Sequence, residues 1–598
     1  MTVGCLGIGY IMGMEKYVVY LAVLLLVICC FSHVRSDFLE HRYKVDDAVP
    51  LYVNKVGPYY NPSETYGYYS LPFCRPDHLE EKQETLGEIL NGDRLVTAPY
   101  KVKFLQQKNH EVACAKKLTS EEVSQIQAAI KQYYIFQMYC DDLPIWGFIG
   151  NVEGSSTNNS EHKYLLYQHF ELEIFFNKDQ VIEVHLLMHP NEVVELAEGR
   201  DMDIELQYSV HWIETNEHFH ERTKKYSVPR NSSIHHFSII NSCVTFLILF
   251  GCLLIYYMRV IRKDFYDFIP EDTAVDREQT GWKCIRSDVF RYPKNRSLFA
   301  ASLGSGAQLC ILATFTLLLG LLGVFYPFNG GNLFTALIVL YTMTSGFAGY
   351  LAVLFYCQIE GKNWGKNLLL TGSLSSVPLF LIFCFLNTVA ASYQANAALP
   401  LGTILILLLI WISLALPLLV VGGIAGKKSH GEFQATCETS KCPREVPSLR
   451  WYRGTLPQMV LAGFLPFSTI YMQLHYVFMS MWGNRVYTLY STIFVIFIIL
   501  LITTSLITVA LTHFQLAAED HRWWWRSFLC GGSVGLYVYG FCFYYCYWIS
   551  HFSGFLQLSF FFGYMAWICY CIFLMCGSVG FYASLLYVRH IYSSIKSD

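Results

Sequence analysis

The sequence predicts a multispanning α-helical membrane protein, a nine-helix bundle behind an N-terminal β-rich luminal domain that contains one helix. Three observations carry this. Nine apolar runs reach or exceed the ~20 residues that cross a bilayer. Only 15% of the 598 residues are charged, against 54% hydrophobic and 16% aromatic; a soluble chain usually carries ~25% charged residues, so the deficit belongs to long uncharged stretches. Between residues 37 and 236 no run is long enough to span, and apolar residues alternate with polar ones. The aromatic load excludes disorder. With 43 Lys and Arg against 46 Asp and Glu, the net charge of −3 also lacks the basic excess that a nucleic-acid partner requires.

The first element is a targeting segment. Met14-Glu15-Lys16 precedes an apolar stretch from Tyr17 to Phe31, and Val34-Arg35-Ser36 suits a signal peptidase. A core of ~15 residues is short for a span, so residues 1–36 read as a cleaved signal peptide. The luminal domain follows at 37–236. In it Ile204, Leu206, Tyr208, Val210 and Trp212 alternate with polar neighbours, the mark of a half-buried strand. Leu172 and Ile174 begin a second strand, Asn177 to Gln180 a turn, and Val181 to Leu186 the return strand. Thr119 and Glu122 form a capping box for one helix with Val123, Ile126, Ile130 and Tyr133 as its apolar stripe. Asn158 and Asn231 head glycosylation sequons. Of the domain's three cysteines, Cys74 and Cys114 are assigned as a disulfide, leaving Cys140 unpaired. Cys437 and Cys442 lack a second ligand pair, so no metal and no cofactor are expected.

The nine spans are predicted near 237–258, 298–325, 333–356, 368–391, 399–426, 456–482, 487–515, 526–549 and 555–588, ahead of a tail at 589–598. One alternate set of connections, including the loop 259–297, holds 21 Lys and Arg; the other holds only Arg485. Positive residues stay cytosolic, which places the β-rich domain in the lumen and the tail in the cytosol. Away from their ends the spans carry no Asp, Glu, Lys or Arg. A charge at the bilayer centre costs at least ~2.5 kcal/mol, so proton coupling and aspartyl proteolysis are disfavoured. Gln308, Asn387, Gln458, Gln473, His475 and His513 read as interhelical hydrogen-bonding groups.

Small residues recur four apart at Ser302/Gly306, Ser345/Gly349 and Gly422/Gly426. Such pairs allow close helix approach, either inside the bundle or against the span of another membrane protein. Gly531-Gly532-Ser533-Val534-Gly535 fits the G-x-S-x-G nucleophile pattern, with His513 or His475 as base. It lies inside a predicted span rather than on a strand–turn–helix elbow, so an intramembrane serine hydrolase is a weak alternative. A facilitative channel or carrier lined by Asn, Gln and Tyr is the other alternative.

Four segments resemble the transmembrane 9 superfamily, the nonaspanins: Val53–Tyr59, Asp141–Gly147, Gly463–Phe467 and Glu519–Arg526, with support from Leu51–Cys74 and Leu86–Arg94. The resemblance covers essentially all of the chain after the signal. It implies a non-enzymatic protein of Golgi and endosomal membranes that sorts client membrane proteins, particularly those with glycine-rich spans, with links to autophagy. Asp141-Asp142 reads as a turn ahead of Leu-Pro, with cation binding or acid–base work as the alternative. In Glu519-Asp520-His521-Arg522-Trp523-Trp524-Trp525-Arg526 the tryptophans are expected at the cytosolic membrane interface and the arginines on the phosphates of the lipid bilayer. Lys596 and Asp598 resemble the family's coatomer-binding tail signal.

Overall fold

The computed structural model describes residues 41–76, 78–153, 163–197, 199–219, 222, 232–266, 281–325, 330–429, 444–447, 450–482, 489–550, 552 and 554–593. The signal segment, Asn158, Asn231, Cys437, Cys442, Lys596 and Asp598 lie outside the described residues. The chain divides into two compact units, with Val228 onward in the second together with Pro58–Thr65 and Ile89–Gly92.

The first unit is β-rich. Its main strands are β1 (Leu51–Pro58), β2 (Lys108–Leu118), β3 (Tyr134–Cys140), β4 (Leu143–Phe148), β5 (His169–Asn177), β6 (Gln180–Met188) and β7 (Met202–Glu214), with helix α1 (Ser120–Lys131) between β2 and β3. One sheet runs β6-β5-β7-β2, and a second contains β1, β3 and β4. The β5–β6 hairpin pairs Leu172 with Leu186 and Ile174 with Val184, and Lys178 takes φ +55° at its tip. β7 returns parallel to β5, opposite Glu171 at Ser209. Its alternation puts Ile204, Leu206, Tyr208, Val210 and Trp212 into the core. Ser209 is also buried, out of phase with that pattern. The α1 capping box forms as its residues dictate, and Val123, Ile126 and Ile130 are buried. Tyr133 is not part of that face. The helix ends at Lys131, Tyr133 turns to φ +53°, and the residue is 42% exposed. Cys74 and Cys114 are disulfide-bonded, with Cα atoms 6.2 Å apart. The Asp-Asp pair is a turn: Cys140 pairs with Leu143, and Asp141 and Asp142 hold φ +49° and +62°, the left-handed pair that a two-residue type I′ hairpin loop requires.

The second unit is helical: α2 (Ser232–Tyr266), α3 (Arg296–Leu321), α4 (Gly330–Gln358), α5 (Trp364–Ser392), α6 (Leu401–Lys428), α7 (Thr455–Trp482), α8 (Leu489–Ala517), α9 (Trp523–Trp548) and α10 (Phe555–Ser593). Among the described residues, eight of these are long and apolar enough to cross a membrane. The exception is α7, which occupies the sixth predicted run at 28 residues but carries Gln458, Gln473 and His475. Both glutamines are buried against neighbouring helices, so its polarity faces protein rather than lipid. The helices differ in how much of them the bundle covers. In α9, 61% of the most apolar window is buried, against 6% in α2. At ~1.5 Å per residue the 39-residue α10 outreaches a ~30 Å hydrocarbon core by several turns.

Candidate functional site

The predicted fifth span is interrupted. Residues Trp411–Ala415 of α6 form a π-turn directly before Pro417. Proline lacks an N–H and its ring crowds the carbonyl four residues back, so the wider turn accommodates it. At the turn the Ala415 carbonyl accepts a hydrogen bond from Ser345 Oγ at 2.9 Å. Behind the turn lies a cavity of about 10 Å³ lined by Gln308, Tyr341, Ser345, Ser375 and Trp411, among others. Gln308 Nε2 donates to the Tyr341 carbonyl at 3.3 Å, and the Tyr341 and Ser375 hydroxyls are 3.0 Å apart. Four helices thus meet through neutral hydrogen bonds in a space that fits about one water. The arrangement offers a polar hinge without an ionised acid or base.

The small-residue pairs are consumed by the bundle itself. A methyl on Gly422 would overlap the Gly346 carbonyl oxygen, one on Gly349 the Leu419 carbonyl, and one on Gly426 would lie 2.5 Å from the Tyr350 carbonyl. These glycines therefore form the seam between α4 and α6, where backbones touch without intervening side chains. Gly306 is closed in the same way by Ser578 and the Leu574 carbonyl of α10. Ser302 is buried, with its hydroxyl on the Leu298 carbonyl at 2.8 Å, and Ser345 is buried at the π-turn. The expectation that Ser302, Gly306, Ser345, Gly349, Gly422 and Gly426 receive client helices is thereby corrected, because their open faces are already filled. Glycines where an added methyl meets nothing within 4 Å sit elsewhere, Gly251 on α2 among them.

The Glu519–Arg526 segment also departs from expectation. Trp523 and Trp524 are 0% and 2% exposed, not at a lipid interface. Trp523 stacks on Phe581 of α10 at 5.6 Å and donates to the Val289 carbonyl at 2.8 Å; Trp525 donates to the Lys294 carbonyl at 2.8 Å. For Trp523 the physical reason lies in the Val289 carbonyl, an acceptor that lets its indole enter the core, while Trp524 packs its ring against Phe299, Phe355 and Phe581. Asp520, buried, holds Arg526 at 3.0 Å, Gln515 Nε2 at 3.1 Å and the Arg522 backbone N–H at 3.0 Å. Glu519 binds Arg444 at 3.1 Å. Of the segment's two arginines, Arg526 is thus engaged by protein, and Arg522 is exposed. Burial pushes His521 below the usual imidazole range, while nearby Asp288 and Asp520 oppose it.

Ser533 and the histidines are not brought into one hydrogen-bonded set. Ser533 Oγ donates to the Cys530 carbonyl at 2.6 Å, and His513 Nδ1 meets the Tyr587 hydroxyl at 2.8 Å. Asn387 accepts the Leu399 backbone N–H at 2.7 Å, closing the α5–α6 connection.

Comparison with known proteins follows the same lines. The Endomembrane protein 70 family (EMP70) matches residues 65–555. Transmembrane 9 superfamily member 3 of Arabidopsis thaliana is 60% identical, covering 94% of this chain and 96% of that protein. Transmembrane 9 superfamily member 1 of Bos taurus is 41% identical over 93% and 94% of the two chains. The chain belongs to the transmembrane 9 superfamily. A Dictyostelium discoideum relative, 41% identical over 94% of this chain and 96% of its own length, carries a phagocytic-receptor name. No solved structure matches.

Family membership and spans together make this a multi-pass protein of the endomembrane system. None of the relatives' names is enzymatic, which fits a non-enzyme. The π-turn pocket escaped sequence reading, although Pro417 inside an otherwise unbroken apolar run was a usable signal. A second missed group lies in the β-rich unit, where His110, His169 and Glu192 come together. No spacing in the sequence marks it.

Proposed function

We propose that this superfamily member is a non-enzymatic sorting factor of Golgi and endosomal membranes, extending to lysosomal or autophagosomal ones. It engages client transmembrane helices, glycine-rich ones in particular, and supports their localisation to membranes, including those used in autophagy. The observation that supports this reading best is the sparse cover of α2, 6% buried across its most apolar window, with open space at Gly251. A helix so exposed keeps a lipid-facing surface on which a small-residue client span can pack closely. Sequence charge supports a luminal N-terminus and a cytosolic tail, where Lys596 and Asp598 meet coatomer.

Photo-crosslinkers at Leu247 and Gly251 are expected to capture client spans, and capture should fall when client glycines are replaced by leucine. Equal capture of both client forms would count against recognition of glycine-rich helices. For the tail, Lys596→Ala is expected to move the protein from Golgi to later compartments by microscopy; an unchanged distribution removes the coatomer contact.

A further inference from the structure

The β-rich unit gathers histidines and carboxylates across its four-stranded sheet, near the start of β5. His169 opens β5 and is 4% exposed. On β2 the register with β7 slips between Tyr208 and Val210, which makes room for an extra residue opposite Ser209. His110 sits in that bulge at φ +48°, a left-handed conformation that redirects its side chain. Its ring stacks on His169 at 4.4 Å. From the turn after β6, Glu192 brings Oε2 to 2.7 Å from His169 Nδ1. Yet that nitrogen has no aligned hydrogen-bond partner. A buried imidazole nitrogen and a carboxylate oxygen this close share a positive centre, a proton when no metal is bound or a cation that displaces it. The other ring nitrogen, Nε2, is fixed by Ser209 Oγ at 2.8 Å.

We propose that His110, His169 and Glu192 bind a divalent transition-metal cation of the zinc class, with the remaining coordination position open to water. One ligand atom from each residue lies within 4.8 Å of the others. Zinc holds imidazole nitrogen and carboxylate oxygen at ~2.0–2.2 Å, so two ligands of one ion are at most ~4 Å apart. The widest pair must close by ~1 Å, while the His169–Glu192 pair, now 2.7 Å apart, must open by under ~1 Å to reach tetrahedral spacing. His110 and Glu192, both exposed in part, supply these shifts by side-chain rotation, while His169 stays anchored. Ser209 acts as the outer partner that orients a ligating histidine. A donor set of two imidazoles and one carboxylate selects zinc or a similar borderline ion over calcium or magnesium, which prefer oxygen. Burial lowers His169 from the ordinary imidazole value, with Glu192 and Glu171 opposing and His110 and His189 reinforcing, and the neutral ring is the form that ligates. Such an ion ties the β2 bulge and the β6 turn to β5.

The test uses the full-length protein in detergent, stripped with chelator and titrated with zinc chloride by calorimetry. One zinc per chain is expected. Glu192→Gln and His110→Gln, both at partly exposed positions, should each weaken binding by at least ~10-fold, and His169→Ala should abolish it. His185→Gln, a histidine on β6 paired with Glu183 instead, should leave binding unchanged. Cobalt substitution separates this site from the free cysteines: nitrogen and oxygen ligands give d–d bands without thiolate charge transfer. Zinc uptake that Glu192→Gln and His110→Gln leave intact, or a cobalt spectrum dominated by thiolate, overturns the assignment.

Discussion

Two buried aspartates, Asp141 in the β-rich unit and Asp520 at one end of the helical bundle, solve the same problem with different partners. Each is 1% exposed and each has an arginine 3.0 Å away, Arg222 and Arg526 respectively. Each follows or occupies a left-handed turn, at Asp141 itself and at Glu519. Asp141, however, also meets His41 at 2.7 Å and the Tyr43 hydroxyl at 2.5 Å, whereas Asp520 is completed by Gln515 and a backbone N–H. Among the described residues the spans away from their ends show no ion pairs and pack glycine against carbonyl. The contrast shows how this protein buries a carboxylate: donors from its own chain gather around it. One node can titrate near neutral pH through a direct partner. The other cannot.

The largest expected effect comes from breaking the Asp520 node. Asp520→Ala leaves Arg526 and Gln515 buried without their acceptor, and removing one member of a buried pair costs about 3–5 kcal/mol. Unfolding in detergent, followed by scanning calorimetry or tryptophan fluorescence, should show it, with Trp523 and Trp524 as the reporters. A loss under ~1 kcal/mol would mean that water reaches this end of the bundle and that the two aspartates differ in burial after all.

Next in size is the seam that carries no charge. Gly422→Leu places a side chain where the Gly346 carbonyl already lies, and overpacking of this kind costs about 1–3 kcal/mol. Gly251→Leu on α2 meets open space and is expected to leave stability unchanged. Thermal unfolding of the two variants side by side gives the comparison. If both behave alike, the α4–α6 contact is looser than its geometry states.

Much of this was legible in the sequence, and the limits are physical. Hydrophobic length and period-two alternation located the helices and the β5, β6 and β7 strands because burial dictates both patterns. The capping box at Thr119 was readable for the same local reason. Which partner a small-residue pair meets is not a local property. Gly349 and Gly422 are 73 positions apart in the chain, and only the fold shows that they face each other's helices. The tryptophans misled because an interfacial belt and a buried cap have the same composition. For Trp523 the difference lies in the Val289 carbonyl and for Trp524 in the ring of Phe581, both distant in the chain.

The smallest effect is the pH dependence that sets Asp141 apart. The hydrogen bond to Asp141 raises His41 above the ordinary imidazole value of about 6.5. Burial and Arg222 oppose the rise, while the charges of Asp141 and Asp142 add to it. A group whose folded value is raised stabilises the fold fully below its unfolded value and loses that contribution as pH climbs through the folded one. His41 therefore stabilises the β-rich unit most below about pH 6.5 and progressively less above it. The melting-point gap between the natural protein and His41→Gln should be widest near pH 5.5 and narrow toward about pH 8. A gap constant across that range would mean that neutral His41 donates to Asp141 at every pH, and the β-rich node would then gain nothing from protonation of its histidine.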